Sequence, residues 1–241
     1  MQRACLAGPV GTDGTNDESL DHLSCLFAQY LYQNFGQSNS DVALVGHSMG
    51  GIIIRNTLAR VQTDGGQGTF PTNVGQVTDA ITINTPHTGV DYTIGFFACG
   101  GCQQVSDLSD KSDLMTYLSA LGRNPQASGV TTDWTVMGSE NDPVDTGAES
   151  TTVLGTGAAN AVDMNARHAI MYLTPSNYDH TQMLHDMDNI NQDAHQYYCD
   201  TTDPENNPCG IDYKNGANWK YRENGPRSLL EFYTELTSDA S

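Results

Sequence analysis

The sequence has no apolar run long enough to cross a membrane, and it contains few basic residues. No stretch approaches the roughly 18 uncharged apolar residues that a transmembrane helix needs, so we expect no such segment. Only 10 lysines and arginines stand against 29 aspartates and glutamates, which gives a formal net charge of −19. An electrostatic field of this sign repels nucleic acids and anionic membranes, so we expect neither as a partner.

The six cysteines are close together in the sequence as three local pairs. Their even number favours disulfide bonds and an oxidising compartment. Six cysteines allow about 15 connectivities, and short loop closure favours Cys5–Cys25, Cys99–Cys102 and Cys199–Cys209. A redox motif at Cys99 to Cys102 and a zinc site are the alternatives. We disfavour both, because a thioredoxin-like context and zinc-knuckle spacing are missing.

The length of 241 residues suits a single domain over 1–241, and its apolar patterns alternate between helix and strand. Four short apolar runs predict buried strands, at 41–46, 77–84, 132–138 and 168–173. Helical spacing predicts helices at 17–36, directly after residue 48, within 107–121 and at 228–236. Buried strands separated by longer, partly helical stretches indicate an α/β fold with a mostly parallel sheet and flanking helices.

The run Gly46-His47-Ser48-Met49-Gly50 lies between the first predicted strand and a helix that begins with glycine. In this context Gly-x-Ser-x-Gly is typical of a nucleophile elbow, which exposes the serine at the top of the sheet. The turn is so tight that only small residues fit two positions before and after a strained Ser48. The following helix directs its free N–H groups at the same spot, so the Met49 N–H is a predicted oxyanion donor.

A serine nucleophile needs a base to take its proton and an acid to orient that base. His180 follows the fourth predicted strand, where catalytic groups collect in open α/β sheets, and His185 is the alternative base. The loop after the third strand offers Asp142 as the acid, with Asp145 and then Glu140 as alternatives. The order serine, aspartate, histidine is that of the α/β hydrolases.

These motifs resemble the α/β-hydrolase lipases and esterases, specifically the secreted bacterial lipase-like group with a Gly-His-Ser-Met-Gly elbow. The matching segments are VALVGHSMGGIIIR, TINTPHTG, GSENDPV and YDHTQMLHD, within about residues 10–190. The resemblance implies Ser48, Asp142 and His180 as nucleophile, acid and base. It also implies an acyl ester, small-molecule or lipid, as substrate and no cofactor. The cysteines and the acidic composition favour an extracellular location. No metal site is predicted, and calcium binding in the acidic loops is left open. The first residues lack the apolar core of a signal peptide, so a signal would not be part of this chain.

One feature departs from the family pattern, in which several strands precede the elbow and one carries a His-Gly loop. Only 47 residues precede Ser48, so we expect an N-terminally shortened fold in which the first strand becomes a sheet edge. Such an edge is prone to pair with another chain, and we predict a homo-oligomer formed through it. The sequence then does not identify the second oxyanion donor, and a residue of 7–15 is one candidate.

The stretch 88–130 is too long for an ordinary connection and predicts an inserted lid or cap. Its apolar residues are predicted to line an acyl pocket or, equally well, to fill a small separate core: Phe96, Phe97, Leu114, Met115 and Leu118.

The leading hypothesis is therefore a serine esterase or lipase that works through an acyl-enzyme. An acyltransferase, a polyester depolymerase and a non-catalytic member of the fold are the alternatives.

Overall fold

A computed structural model describes residue 5 and residues 15–65, 69–90, 101–120, 132–142, 166–185, 194–201 and 213–226. Six strands form one sheet in chain order: β1 (Asp41–His47), β2 (Gln76–Ile83), β3 (Asp133–Ser139), β4 (His168–Tyr172), β5 (Ala194–Asp200) and β6 (Trp219–Gly225). Strands β1 to β4 are parallel, and β5 and β6 are antiparallel to their neighbours. The predicted α/β class with a mostly parallel sheet is confirmed.

The four predicted strands are present within about two residues of their expected bounds. Every residue of β3 is buried, as expected for a central strand of a parallel sheet that is covered on both faces. Within the described ranges, β1 pairs on one side only, with β2. The predicted self-association through this edge stays a prediction.

Two helices pack together beside the first strands. Helix α1 (Leu20–Leu31) begins at Ser19, whose hydroxyl accepts a hydrogen bond from the His22 N–H, and it continues as a π-helical turn to Gly36. Helix α2 (Met49–Asp64) follows Ser48 without a linker. The helices share buried polar contacts, since Asn56 Nδ2 and Thr57 Oγ1 donate to the Ser24 hydroxyl and carbonyl. These contacts hold α2, and hence the turn before it, in a fixed position.

Two further helices come from the predicted insertion, α3 (Gln103–Leu108) and α4 (Asp113–Ala120). Helix α3 is fixed to the start of α1, because the Asp107 carboxylate accepts a hydrogen bond from the Leu20 N–H at 2.7 Å. Leu114, Met115 and Leu118 of α4 are buried in a cluster with two further side chains, Leu20 and Ile52. Met49 packs against this cluster from the start of α2.

This burial gives the three α4 residues a structural role, and their contact with an acyl chain stays a prediction. Phe96 and Phe97 lie outside the described residues, as do the remaining parts of the stretch 88–130 beyond 88–90 and 101–120.

The antiparallel pair β5 and β6 was not predicted, because neither strand is a continuous apolar run. Aromatic rings accompany the backbone ladder of this pair. Between ring centroids, Tyr197 of β5 lies 5.3 Å from Tyr221 of β6, and Tyr213, which precedes β6, lies 6.2 Å from Trp219. The predicted helix at 228–236 lies outside the described residues.

The predicted disulfide between Cys5 and Cys25 is present and ties residue 5 to α1. Cys102 and Cys199 are also disulfide-bonded, and the cysteines predicted to pair with them lie outside the described residues. Among the helices in the described ranges, none is long and apolar enough to span a membrane.

Candidate active site

The turn between β1 and α2 has the strained backbone that the sequence predicts for a nucleophile elbow. Ser48 has φ 54° and ψ −129°, a conformation that a non-glycine residue rarely adopts. Two backbone hydrogen bonds hold it, from the Ser48 N–H to the Ile83 carbonyl at 2.9 Å and from the Gly51 N–H to the Ser48 carbonyl at 3.0 Å. The serine is therefore presented at the carboxyl end of β1.

Close packing explains two of the glycines at this turn, against backbone at Gly46 and against a side chain at Gly51. A Cβ atom on Gly46 would lie 2.6 Å from the Gly51 nitrogen, and one on Gly51 would lie 2.1 Å from the Thr85 hydroxyl oxygen. Gly50, in contrast, has open space where its Cβ would be. The expectation that only a small residue fits two positions after Ser48 is wrong, because the crowded position is the next one, Gly51.

The loop after β3 and the loop after β4 bring an acid and a histidine together. His180 Nδ1 lies 2.7 Å from Asp142 Oδ2, and the Asp142 carboxylate is fully buried. Since a carboxylate accepts hydrogen bonds, Nδ1 carries the proton and Nε2 is left free to act as a base. Of the alternative acids, Glu140 is engaged elsewhere and Asp145 lies outside the described residues.

The turn that contains His180 is fixed by local hydrogen bonds. Asp179 Oδ1 accepts from the N–H groups of Thr181 and Gln182, and these bonds lower the pKa of the exposed Asp179 carboxyl. The Ser139 hydroxyl at the end of β3 donates to the Tyr178 carbonyl at 2.6 Å. The histidine is thus anchored to the strand that precedes the acid. The alternative base, His185, ends the short 3₁₀ turn Gln182–Leu184 that follows.

Two side chains from neighbouring strand ends also reach the backbone carbonyl of His180. His47 Nε2 lies 2.6 Å from this oxygen, and Asn84 Nδ2 donates to it at 3.2 Å. The His47 and His180 rings are 4.6 Å apart between centroids, so the candidate base lies beside the elbow. Neither contact with His180 was predicted from the sequence. The signal that could have indicated Asn84 is an asparagine directly after a strand, where this residue adopts φ 46°.

Glu140, the alternative acid, anchors the loop after β3, here called the acid loop because it carries Asp142. Its carboxylate accepts hydrogen bonds from Tyr213 and Lys214 at 2.7 and 2.8 Å, and from the Thr174 N–H and hydroxyl at 2.9 Å. Burial opposes its ionisation, but these donors outweigh burial and lower the pKa of Glu140 to about 2. The acid loop is therefore attached to the loop after β4 and to the segment before β6.

Arg55, a buried side chain of α2, connects the loop after β2 to α4. Arg55 donates hydrogen bonds to the carbonyls of His87 and Leu118 at 2.8 and 3.2 Å. Complete burial, together with the Arg55 charge, lowers the pKa of His87 well below its usual value, so its ring is neutral. The buried ring lies against the end of β2, with Nε2 3.0 Å from the Thr82 hydroxyl, and this contact indicates a structural role.

The predicted oxyanion donor, the Met49 N–H, lies in the first turn of α2 and stays a prediction. The first N–H groups of a helix lack partners within the helix, and the Ser48 side chain does not cap them. The Met49 N–H can therefore bind developing negative charge beside Ser48. Of the predicted second-donor segment 7–15, only residue 15 is described. In the described ranges, no group of three or more histidine, cysteine, aspartate or glutamate side chains is arranged to bind a metal ion.

Residues 17–128 match the model of a family described as "Putative serine esterase (DUF676)". The match indicates a hydrolase of the esterase type. The matched segment contains Ser48 and ends before Asp142 and His180, so it does not cover the candidate acid and base.

Among solved structures, the chain is similar to phospholipase PlaB from Legionella pneumophila, at 15% identity and a TM-score of 0.42. That similarity covers 56% of this chain and 31% of the other. The same enzyme in complex with thio-NAD has 14% identity, a TM-score of 0.39, and coverage of 50% and 26%. The chain thus spans less than a third of the protein that it matches. A comparison with curated proteins found no match. The secreted lipase-like group that the sequence resembles stays a prediction.

Proposed function

We propose that the protein is a serine hydrolase of carboxylic esters, with Ser48 as nucleophile, His180 as base and Asp142 as the orienting acid. The observation that carries the proposal is that the strained Ser48 backbone and the His180–Asp142 contact occur together. The strained serine directly follows the parallel strand β1, and the 2.7 Å contact between His180 and Asp142 lies at the same edge of the sheet. This edge, at the carboxyl ends of the strands, is where open α/β sheets bind ligands.

In the proposed reaction His180 Nε2 removes the Ser48 hydroxyl proton while the oxygen attacks the ester carbonyl. The Met49 N–H stabilises the negative charge on the carbonyl oxygen, and the Asp142 carboxylate stabilises the imidazolium that forms. His180 then gives its proton to the leaving alcohol, and an acyl-enzyme remains. Water, activated by the same histidine, releases the acid and restores Ser48. No cofactor takes part in this scheme.

The proposed substrates are small-molecule or lipid esters, and the proposed location is extracellular. The disulfide-bonded state of Cys5, Cys25, Cys102 and Cys199 supports an oxidising compartment. The excess of acidic residues favours neutral or cationic substrates over polyanions.

The function is tested by hydrolysis of p-nitrophenyl esters of increasing acyl length, with Ser48→Ala as the control. We expect release of p-nitrophenol that disappears in the variant while its thermal midpoint is kept. Addition of a primary alcohol distinguishes transfer from hydrolysis, because an acyltransferase would form the new ester in preference to the free acid. If folded wild type forms mainly the new ester, the protein is an acyltransferase and the hydrolase proposal is wrong.

A further inference from the structure

We propose that His47 is a positioning residue, which together with Asn84 fixes the catalytic histidine through its backbone carbonyl; this inference rests on the proposed function. His47 belongs to the elbow and Asn84 to the end of β2, whereas the oxygen they share belongs to the loop after β4. The ends of the neighbouring strands β1 and β2 are thereby connected to the loop after β4 at one atom, the carbonyl oxygen of His180.

The hydrogen-bond roles follow from the chemistry of the groups. A carbonyl oxygen only accepts, so the His47 Nε2 atom at 2.6 Å must carry a hydrogen. The same logic orients Asn84, whose Nδ2 faces the carbonyls of Asp179 and His180 at 3.3 and 3.2 Å. The reversed amide would direct its oxygen at two other oxygens. Both side chains are therefore donors to the same short stretch of backbone.

The charge state of His47 suits this position. Burial lowers the pKa of His47, and the neighbouring His180 opposes its protonation as well, while its bond to the His180 carbonyl and the Asp142 charge act the other way. The other titratable group that acts on it is His185. A neutral His47 donates its hydrogen bond without placing a second positive charge beside His180 when that residue takes up the serine proton. A lysine or arginine at this position would oppose that step.

The positions of the donors argue against simple packing as their explanation. An apolar side chain could fill the space beside the His180 ring, but it would leave the carbonyl without this donor. Asn84 is fully buried and adopts φ 46°, a conformation that asparagine tolerates better than most side chains. Its amide is thus held in place by backbone geometry as well as by contacts.

The inference is tested with a matched pair of variants, His47→Gln and His47→Met. The two side chains have nearly the same length and flexibility, but only glutamine offers an N–H near the position of the histidine Nε2. We expect His47→Met to lower kcat for p-nitrophenyl butyrate by about 10- to 100-fold with KM little changed, because misplacement of a catalytic group by about 1 Å has effects of this size. His47→Gln should recover most of the loss.

Introducing the same two variants into His180→Ala distinguishes a positioning role from a general loss of structure. In His180→Ala, the two variants should have equal residual rates of Ser48 phosphonylation by a fluorophosphonate, since there is no imidazole left to position. Equal kcat of His47→Met and His47→Gln in the native background would overturn the inference. A slower phosphonylation of His47→Met than of His47→Gln in the His180→Ala background would overturn it as well.

Asn84→Gly provides an independent arm if His47→Met does not fold, since glycine accepts the positive φ and deletes only the amide. The expected result is again a fall in kcat that requires His180. An unchanged kcat would overturn the role of Asn84. If His180→Ala itself keeps the wild-type kcat, it is the proposed function that fails.

Discussion

His180 and Asp142 are joined by a 2.7 Å contact between Nδ1 and Oδ2, with the carboxylate fully removed from solvent. The two residues come from different loops, 38 positions apart in the chain. Because the loops follow adjacent strands, β3 and β4, the sheet itself brings them together.

Asp142→Asn should lower kcat by about 10³- to 10⁴-fold, since an amide in place of this carboxylate favours the wrong histidine tautomer and stabilises no imidazolium. Steady-state kinetics with p-nitrophenyl butyrate measure the loss. Asn141→Asp, at the next position, serves as the control for an altered charge in the same loop. A kcat for Asp142→Asn within a few-fold of wild type would remove the aspartate from the mechanism.

The glycines of the elbow should differ sharply in their tolerance of alanine. Gly46→Ala and Gly51→Ala place a Cβ into occupied space and should cost about 1–3 kcal/mol or more of unfolding free energy. Gly50→Ala meets nothing within 4 Å and should stabilise α2 by about 0.5–1 kcal/mol. Urea unfolding of the three variants checks this order, and a Gly50→Ala as unstable as Gly46→Ala would contradict the described packing.

Glu140 should make stability depend on pH at the acid end. Its folded pKa of about 2 lies below its usual value of 4.5, so its stabilising effect is complete above pH 4.5 and is lost as the pH falls towards 2. The thermal midpoint of wild type should therefore exceed that of Glu140→Gln at pH 6, and the difference should shrink on acidification. A difference that stays constant between pH 6 and pH 3 would show that ionisation of Glu140 contributes nothing.

The apolar residues of α4 can be assigned to a core or to an acyl pocket by one substitution. Leu118→Ala should lower the free energy of unfolding by about 2–5 kcal/mol, because the side chain is 2% exposed and packs in the cluster around Ile52. If the cluster is structural only, the ratio of kcat/KM for octanoate and butyrate esters stays at the wild-type value. A selective loss on the longer ester would assign Leu118 to the acyl pocket.

The sequence predicted most of what determines the fold, for a physical reason. Strands β1 to β4 are short apolar runs, and the Gly-x-Ser-x-Gly turn has meaning only between a buried strand and a helix, so pattern and context agree. Asp142 and His180 could be selected because parallel strands place their carboxyl ends at one edge. These features depend on local sequence together with one rule of topology.

Other features depend on contacts between distant segments, which no local pattern shows. β5 and β6 are polar and aromatic, and their pairing is stabilised by ring contacts across the two strands. The burial of Leu114 and Met115 follows from where α4 lies against α1 and α2. The roles of His47 and Asn84 depend on an atom of residue 180, far from both in the chain.

The central claim is that Ser48 is a nucleophile activated by His180, and the intact mass of the protein after treatment with a fluorophosphonate tests it most directly. The account predicts one phosphonyl adduct on wild type, mapped to Ser48 by peptide sequencing. It predicts no adduct on Ser48→Ala and strongly slowed labelling of His180→Ala. An adduct that persists in Ser48→Ala, or folded wild type that stays unlabelled, would contradict it.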